Sequence, residues 1–407
     1  MDRYPVLTDV PELATLQQRA LLVGAIGLLA GVAGAVMVSY DQFLQSWLIG
    51  FWLVLGLSLG SLGLLMLQHM TGGQWGLMGR RIWEAGTRNV MLTALLFLPI
   101  ALGTERLFIW AQPEVLAGDP VIQAKAAYLN VEFFLIRAVV YFAFWIACAW
   151  VLTRWSDAQE RGEMATVTGD TVRFRKVSAP GLLFFVLTIS FASVDWMMSL
   201  DPHWFSTIYG LTTVAGQGLS ALAFAIAVLA LTQHVAPIST YVTQRHFHDL
   251  GKLLLAFVML WAYLNFSQFL IIWSGNLPEE IPWYIVRFRG GWEYLAILLV
   301  VGHFALPFML LLSRDLKRNS SMLAKVAIAV LVMRLIDLIW LISPAFAHGD
   351  AAAVDAVHHF PIHWMDIAIP VGLLGLWIAL FARNLRGSTL LPLNDPYFKE
   401  AFVHEAH

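Results

Sequence analysis

The chain has 407 residues, 59% of them hydrophobic and 13% charged, and its mean hydropathy is +0.71. Soluble domains carry about 25% charged residues, so the composition excludes a soluble globular protein and points to a membrane protein with many spans. A net charge of −2 selects no partner class, while a single cysteine, Cys148, excludes an intrachain disulfide, a C-x-x-C-H haem attachment and an iron–sulfur cluster held by this chain alone.

The opening "MDRYPVLTDVPELATLQQRALLVG" mixes acids and prolines and lacks an early apolar core, so residues 1–19 read as a short polar segment rather than a cleavable signal peptide. A transmembrane helix needs roughly 20 mostly apolar residues. Ten such runs follow, at about 20–38, 44–68, 84–103, 130–153, 180–200, 205–232, 250–273, 292–312, 322–343 and 363–384. They form a ten-span domain, 20–384, followed by a C-terminal arm, 385–407. An even number of spans puts both ends on one side. Lysine and arginine crowd that side, from Arg3, Arg19, Arg80 and Arg81 through Arg154, Arg173 and Lys176 to Arg383 and Arg386. The other side carries Arg106, Lys125, Arg287 and Arg289. Basic loops stay in the cytoplasm, so both termini are expected there, with loops 39–43, 201–204, 274–291 and 344–362 facing outward.

Several local features qualify this plan. Spans 1 and 2 carry small residues at close-packing intervals: Gly24, Gly27, Gly31 and Gly34, then Gly56 and Gly60. In "GDPVIQAKAAYLN", Asp119 and Pro120 read as an N-cap and first helical residue, so span 4 is expected to begin outside the membrane. The polar loop 154–179 offers a hairpin turn at Gly169-Asp170. Asp201 and Pro202 read as the cap and first turn of span 6. The tail "LLPLNDPYFKEAFVHEAH" reads as an arm lying on a neighbour.

Polar groups inside spans are the functional signal, because a charge at a helix centre costs roughly 2.5–3.5 kcal/mol on insertion scales. Glu84 and Arg88, four apart, read as an ion pair on one face of span 3, and Arg334 and Asp337 as a second in span 9. Arg137 in span 4 needs a partner on another helix or a cavity. Asp195 lies in the outer part of span 5 on a face with Thr188 and Ser199. Asp366 sits near the outer end of span 10, and His303 alone among histidines lies near the bilayer centre. Span 6 aligns Tyr209, Thr213, Gln217 and Ser220, and span 7 offers Tyr263, Asn265, Ser267 and Gln268. Spans 5 to 9 are therefore expected to enclose a polar interior, with spans 1 and 2 greasy. The groups suit a proton path or a quinol pocket; they equally suit buried ion pairs that fix helix register. One central histidine does not make a b-type haem site, which needs facing pairs. Asp355, His358, His359 and His363, or His246 and His248, match no zinc spacing. No phosphate-binding glycine loop or nucleophile motif appears. A secondary transporter, marked by inverted repeats and broken helices, is the rival class; Pro307 and Pro370 could break helices, but no repeat is visible.

The stretch "SVDWMMSLDPHWFSTIYG", residues 193–210, resembles the span 5–6 junction of the F-type membrane subunits of alternative complex III, within the NrfD/PsrC-like family. The tail "LPLNDPYFKEAF" resembles the cytoplasmic arms of the related C and F subunits, and the ten-span plan agrees over essentially the whole chain. The resemblance implies an all-α membrane protein of two four-helix bundles, helices 2–5 and 6–9, flanked by helices 1 and 10, in the bacterial cytoplasmic membrane. It implies a cofactor-free subunit of a respiratory or photosynthetic complex that oxidises menaquinol or another quinol, with membrane lipid around it and no nucleic acid. Its partners would be an iron–sulfur subunit, a homologous C subunit, c-type cytochromes and small membrane anchors. The family's proton routes are attributed to acids, histidines and arginines inside the bundles, and the resemblance carries that idea here to Asp195, His303, Arg334 and Asp337, then to Arg88, Arg137 and Glu84. His203 and Asp201 are candidates for quinol or partner contact. The alternatives are a chain that binds quinol itself and a purely structural scaffold.

Overall fold

The structure is a computed structural model that describes residues 10–163, 167–349 and 362–398, with the backbone alone described at 167–170 and 347–349. Among the described residues all regular structure is helical. Ten helices are long and apolar enough to cross a membrane: α1 (Pro11–Met37), α2 (Tyr40–Thr71), α3 (Gln74–Leu102), α4 (Val131–Glu160), α5 (Val167–Trp196), α6 (Tyr209–Thr232), α7 (Gln244–Gly275), α8 (Trp292–Leu312), α9 (Ser320–Ile342) and α10 (Met365–Arg386).

Every expected span is present, and most are longer than their apolar cores. Polar caps mark where they start. Ser39 accepts the Gln42 N–H, Asn130 that of Phe133 and Asn319 that of Met322, while Thr243 and His246 form a reciprocal cap on α7. Two spans are irregular. In α3 the helix is interrupted at Asn89 and Phe97, ahead of Pro99. In α8 a π-helical turn, Leu299–Ala305, precedes Pro307. Proline lacks the N–H that would bond one turn back and its ring crowds that carbonyl. The widened turn is where that local misfit is absorbed, and such turns often coincide with functional sites.

Helix α2 is the hub. It is almost wholly buried and packs on α3, α5, α6 and α10. Helix α6 touches α2, α5, α7 and α9; α4 packs on α5, and α8 lies between α7 and α9. Helices α1 and α10 run antiparallel as a pair. A Cβ at Gly27 would sit 2.7 Å from the Ala368 carbonyl oxygen, and one at Gly375 2.6 Å from the Gly24 nitrogen. The glycine stripe of α1 therefore faces α10 and not α2. Gly60 of α2 instead lies against the Gln217 backbone of α6. Arg386 at the end of α10 donates to Gln17 near the start of α1, 3.2 Å away. Helix α1 thus starts and α10 ends at the same end of the molecule, called here the terminal end.

Four local expectations change. The 154–179 segment is not a hairpin loop: α4 continues to Glu160, and α5 is already helical through Gly169 and Asp170. Phe174 stacks on His69 at 4.3 Å and Arg173 lies over Trp155, so packing of the flank overrides the turn signal. Asp119 caps a helix as expected, accepting from Val121 and Ile122, but that helix is the separate Pro120–Lys125, and α4 starts afresh at Val131. Asp201 and Pro202 do not start α6. The Asp201 carbonyl accepts the Trp204 N–H in a turn, Pro202 gives its carbonyl to Lys125 at 2.5 Å, and α6 begins at Tyr209. The tail to Phe398 lies on its own chain, with Leu390, Leu391 and Phe398 buried and Phe398 edge-on to Tyr241.

Candidate functional site

Charged and polar groups gather at three depths. At the terminal end, Glu84 of α3 is the centre of a buried cluster. It takes Arg80 Nε at 3.0 Å, Arg81 at 2.7 Å and the Ser156 hydroxyl of α4 at 2.5 Å. The arm closes it. Asp395 receives Arg80 at 2.5 Å, and Glu160 receives both Arg81 and the Thr389 hydroxyl. The expected Glu84–Arg88 pair is not formed, for Arg88 reaches Asp157 of α4 at 2.6 Å instead. The i,i−4 neighbour Arg80 and the i,i−3 neighbour Arg81 take the acid. A cavity of about 40 Å³ lies beside the cluster, where His69, Gln68, Arg175 and Asp395 meet.

At the opposite end, Arg137 and Asp195, each without an acid–base partner in its own helix, find one another. The guanidinium grips the carboxylate twice, Nε to Oδ2 and Nη2 to Oδ1, both at 2.9 Å. Tyr141 donates to Oδ2 at 2.9 Å, and the third guanidinium nitrogen goes to the Tyr128 carbonyl. The rings of Tyr128 and Phe133 flank the cation at 3.9 and 4.4 Å. Thr188 accepts the Trp145 indole N–H, and Ser199 donates to the Asp195 carbonyl, so the polar face of α5 is internally satisfied. His203 is half exposed and bonds Asp119 at 2.6 Å. Desolvation works to raise the Asp119 carboxyl, but the N–H groups of Ile122 and Val121, with His203, hold it below its ordinary value. Asp366 does not reach the surface. It is buried, bonded to Ser46 at 2.6 Å, Gln42 at 3.0 Å and the His363 N–H at 2.9 Å.

The same stretch that caps α5 also shapes a groove of about 240 Å³, walled by Phe191, Val194, Met198 and Phe205 with Ser190 and Ser206 at its edge. Ser206 donates to Gln268 at 2.8 Å, and Gln268 donates to the Tyr284 hydroxyl at 3.2 Å. Beside them is Arg287, a buried cation that sequence reasoning counted only as a loop residue. It donates to the carbonyls of Trp283, Trp340 and Leu341 and lies 3.5 Å over the Trp283 ring. It thereby satisfies the last carbonyls of α9, as a cation at a helix C-terminus does. Burial pushes it down to about 9, which leaves it charged at neutral pH.

Between the two ends, Arg334 and Asp337 of α9 form the expected pair. Trp261 of α7 donates its indole N–H to Asp337 Oδ2 at 3.2 Å. Its ring also meets His303 of α8 edge-on, with centroids 4.1 Å apart. His303 is wholly buried, and neither ring nitrogen has a hydrogen-bond partner among the described residues. Gly216 of α6 leaves the space that the Arg334 guanidinium fills: a Cβ there would come 2.5 Å from Cζ. Gln217, on the next position, is buried against α2 with both amide atoms likewise unpartnered among the described residues. The polar stripe of α6 is buried as expected, but Tyr263 of α7 is exposed and Gln268 buried, so the α7 stripe divides between two faces.

Histidines 246 and 248 lie at the start of α7, where His246 is part of the helix cap; Asp355, His358 and His359 fall outside the described residues. Among the described residues no group of three or more metal-ligating side chains converges. Compared with known proteins, the chain matches no family model and no curated sequence.

Proposed function

We propose that the chain is a cofactor-free integral-membrane subunit of a quinol-oxidising electron-transfer complex, of the alternative complex III type, and that its second half provides a route for protons. The observation that carries the proton part is the mid-membrane cluster: a buried ion pair, Arg334–Asp337, beside a histidine with two idle ring nitrogens. Burying such groups is costly, and intramembrane ionisable residues commonly mark ion or proton pathways. The assignment to a quinol-oxidising complex draws on the 193–210 junction and the tail. The contacts of α2 with α3 and α5, of α4 with α5, and of α6 to α9 among themselves fit a grouping of α2–α5 and α6–α9, joined by the packing of α2 on α6, with α1 and α10 paired beside them. The basic bias of the terminal end supports a cytoplasmic location for both termini in a bacterial inner membrane. An iron–sulfur subunit, a homologous C subunit, c-type cytochromes and small anchors are the partners this reading requires.

The test uses the assembled complex in vesicles, with proton release followed during quinol oxidation. Asp337→Asn is expected to lower protons released per electron while assembly and electron transfer persist. Unchanged coupling in a fully assembled variant would remove the proton route. A second reading, quinol bound on this chain, draws on the 240 Å³ groove and its hydrogen-bonded link through Ser206 and Gln268 to Tyr284. Phe191→Ala and Phe205→Ala should then weaken binding of a quinol analogue to the complex.

A further inference from the structure

Two features of the mid-membrane cluster stand unexplained by an ion pair alone. The first is that His303, which lies in the π-helical turn and is wholly buried, makes no hydrogen bond among the described residues although Arg334 is close enough to act on it electrostatically. The second is that Trp261 touches both sides. Its N–H bonds Asp337 Oδ2, and its ring is against the imidazole. An indole N–H can only donate. It therefore occupies one acceptor position on the carboxylate and can take no proton from it.

We infer that Trp261 is a positioning residue for Asp337 and His303: its N–H fixes the carboxylate and its ring keeps the histidine as a separate, unbonded group, so that the two exchange a proton only when the indole gives up its bond. This rests on reading the cluster as part of a proton route, but the positioning itself is a property of the resting protein. The groups facing Asp337 are few. Arg334 comes from its own helix and Trp261 from α7, with His303 of α8 on the far side of the Trp261 ring and within electrostatic reach of Arg334; Tyr209 of α6 is within electrostatic reach of Asp337, and Arg287 and Tyr284 approach Tyr209 from the 276–291 connection. Gly216 contributes by absence of a side chain, since it keeps Arg334 seated against the same carboxylate. None of the expected site residues includes Trp261, because a tryptophan in an apolar span carries no charge or spacing signal.

A hydrogen bond to a carboxylate favours its ionised form, and one removed makes protonation easier. A bond to a charged group contributes about 1.5–3 kcal/mol, which corresponds to roughly tenfold or more in proton concentration. The experiment is an infrared pH titration of the purified full-length chain in its membrane complex, with the Asp337 carboxyl band identified by its loss in Asp337→Asn. In Trp261→Phe, which keeps a ring and loses the donor, Asp337 should take up its proton at about tenfold lower proton concentration. Trp261→His, which restores a ring N–H, should recover part of that shift. Should both variants titrate like the parent, the inference is wrong. An equal shift in both would assign the effect to packing and also overturn it. A third measurement follows the unsubstituted protein: the nitrogen-labelled indole signal, assigned by its disappearance in Trp261→Phe, should move as Asp337 titrates, and a fixed signal counts against the bond. Shifted titration with unchanged proton release per electron would retain the positioning role and reject the proton route; an unshifted titration would reject the positioning role alone.

Discussion

Two buried arginine–aspartate pairs in this chain look alike in composition and differ in what surrounds them. Around Arg137–Asp195 almost every donor and acceptor is used: two parallel bonds, a tyrosine hydroxyl, a backbone carbonyl and two flanking rings. Around Arg334–Asp337 the carboxylate meets one guanidinium nitrogen and one indole, and the neighbouring histidine bonds nothing among the described residues. Low local polarity strengthens each bond made and raises the cost of each bond missing. The first pair is thereby a clamp between α4 and α5. The second is a set of groups with capacity left over, which is what proton exchange requires. Counting intramembrane charges would rank the two equally; counting their partners separates them.

Three variants would break or sharpen this contrast. The largest effect should come from Arg137→Met, which leaves Asp195 buried without its cation. Removing one partner of a buried pair costs about 3–5 kcal/mol, read as a lower melting temperature or loss of the folded chain, and Arg137→Met with Asp195→Leu should recover most of it. Failure of the double variant to recover would mean that the pair does more than hold two helices. A smaller effect is expected from Asp395→Ala at the terminal end. It removes one charged bond from Arg80, about 1.5–3 kcal/mol, while Glu84, Ser156 and Gln159 still hold that arginine. The local readout is faster proteolysis within residues 387–398, with the spans unchanged. The smallest change in stability, within about 1.5 kcal/mol, should follow His303→Phe, a roughly volume-conserving swap that breaks no hydrogen bond. A large loss of stability there would show that the histidine is bonded after all and erase the contrast.

The spans were legible because hydropathy reports the membrane core directly. Their ends are not, since the terminal-end turns of α1, α4 and α7 are polar and packing, with a side-chain cap on α7 alone, is what keeps them helical. A span 3 that starts near residue 84 leaves Arg80 and Arg81 in a loop, and spacing then pairs Glu84 with Arg88, although the same spacing reaches backwards to Arg80. Spacing names neighbours within one helix and cannot choose among them. It is silent across helices, which is why it leaves Arg137 in need of a partner and does not point to Asp195. Arg334 and Asp337 were matched because their partner lies within the same turn. Trp261, Arg287 and Gly216 had no such signal: what each does depends on a neighbour from another part of the chain.

The backbone contact between α1 and α10 has a consequence for how the chain is made. Translation proceeds from the N-terminus, so the first span enters the membrane long before its partner exists. Its glycine face, which ends against Gly372 and Gly375, must rest on lipid while nine further spans are inserted. Docking of α10 then completes its contacts with α1 and α2 together, and the 387–398 arm can close on the Glu84 cluster only after it. A ribosome stalled before residue 365 would hold a chain whose first helix is inserted and still undocked.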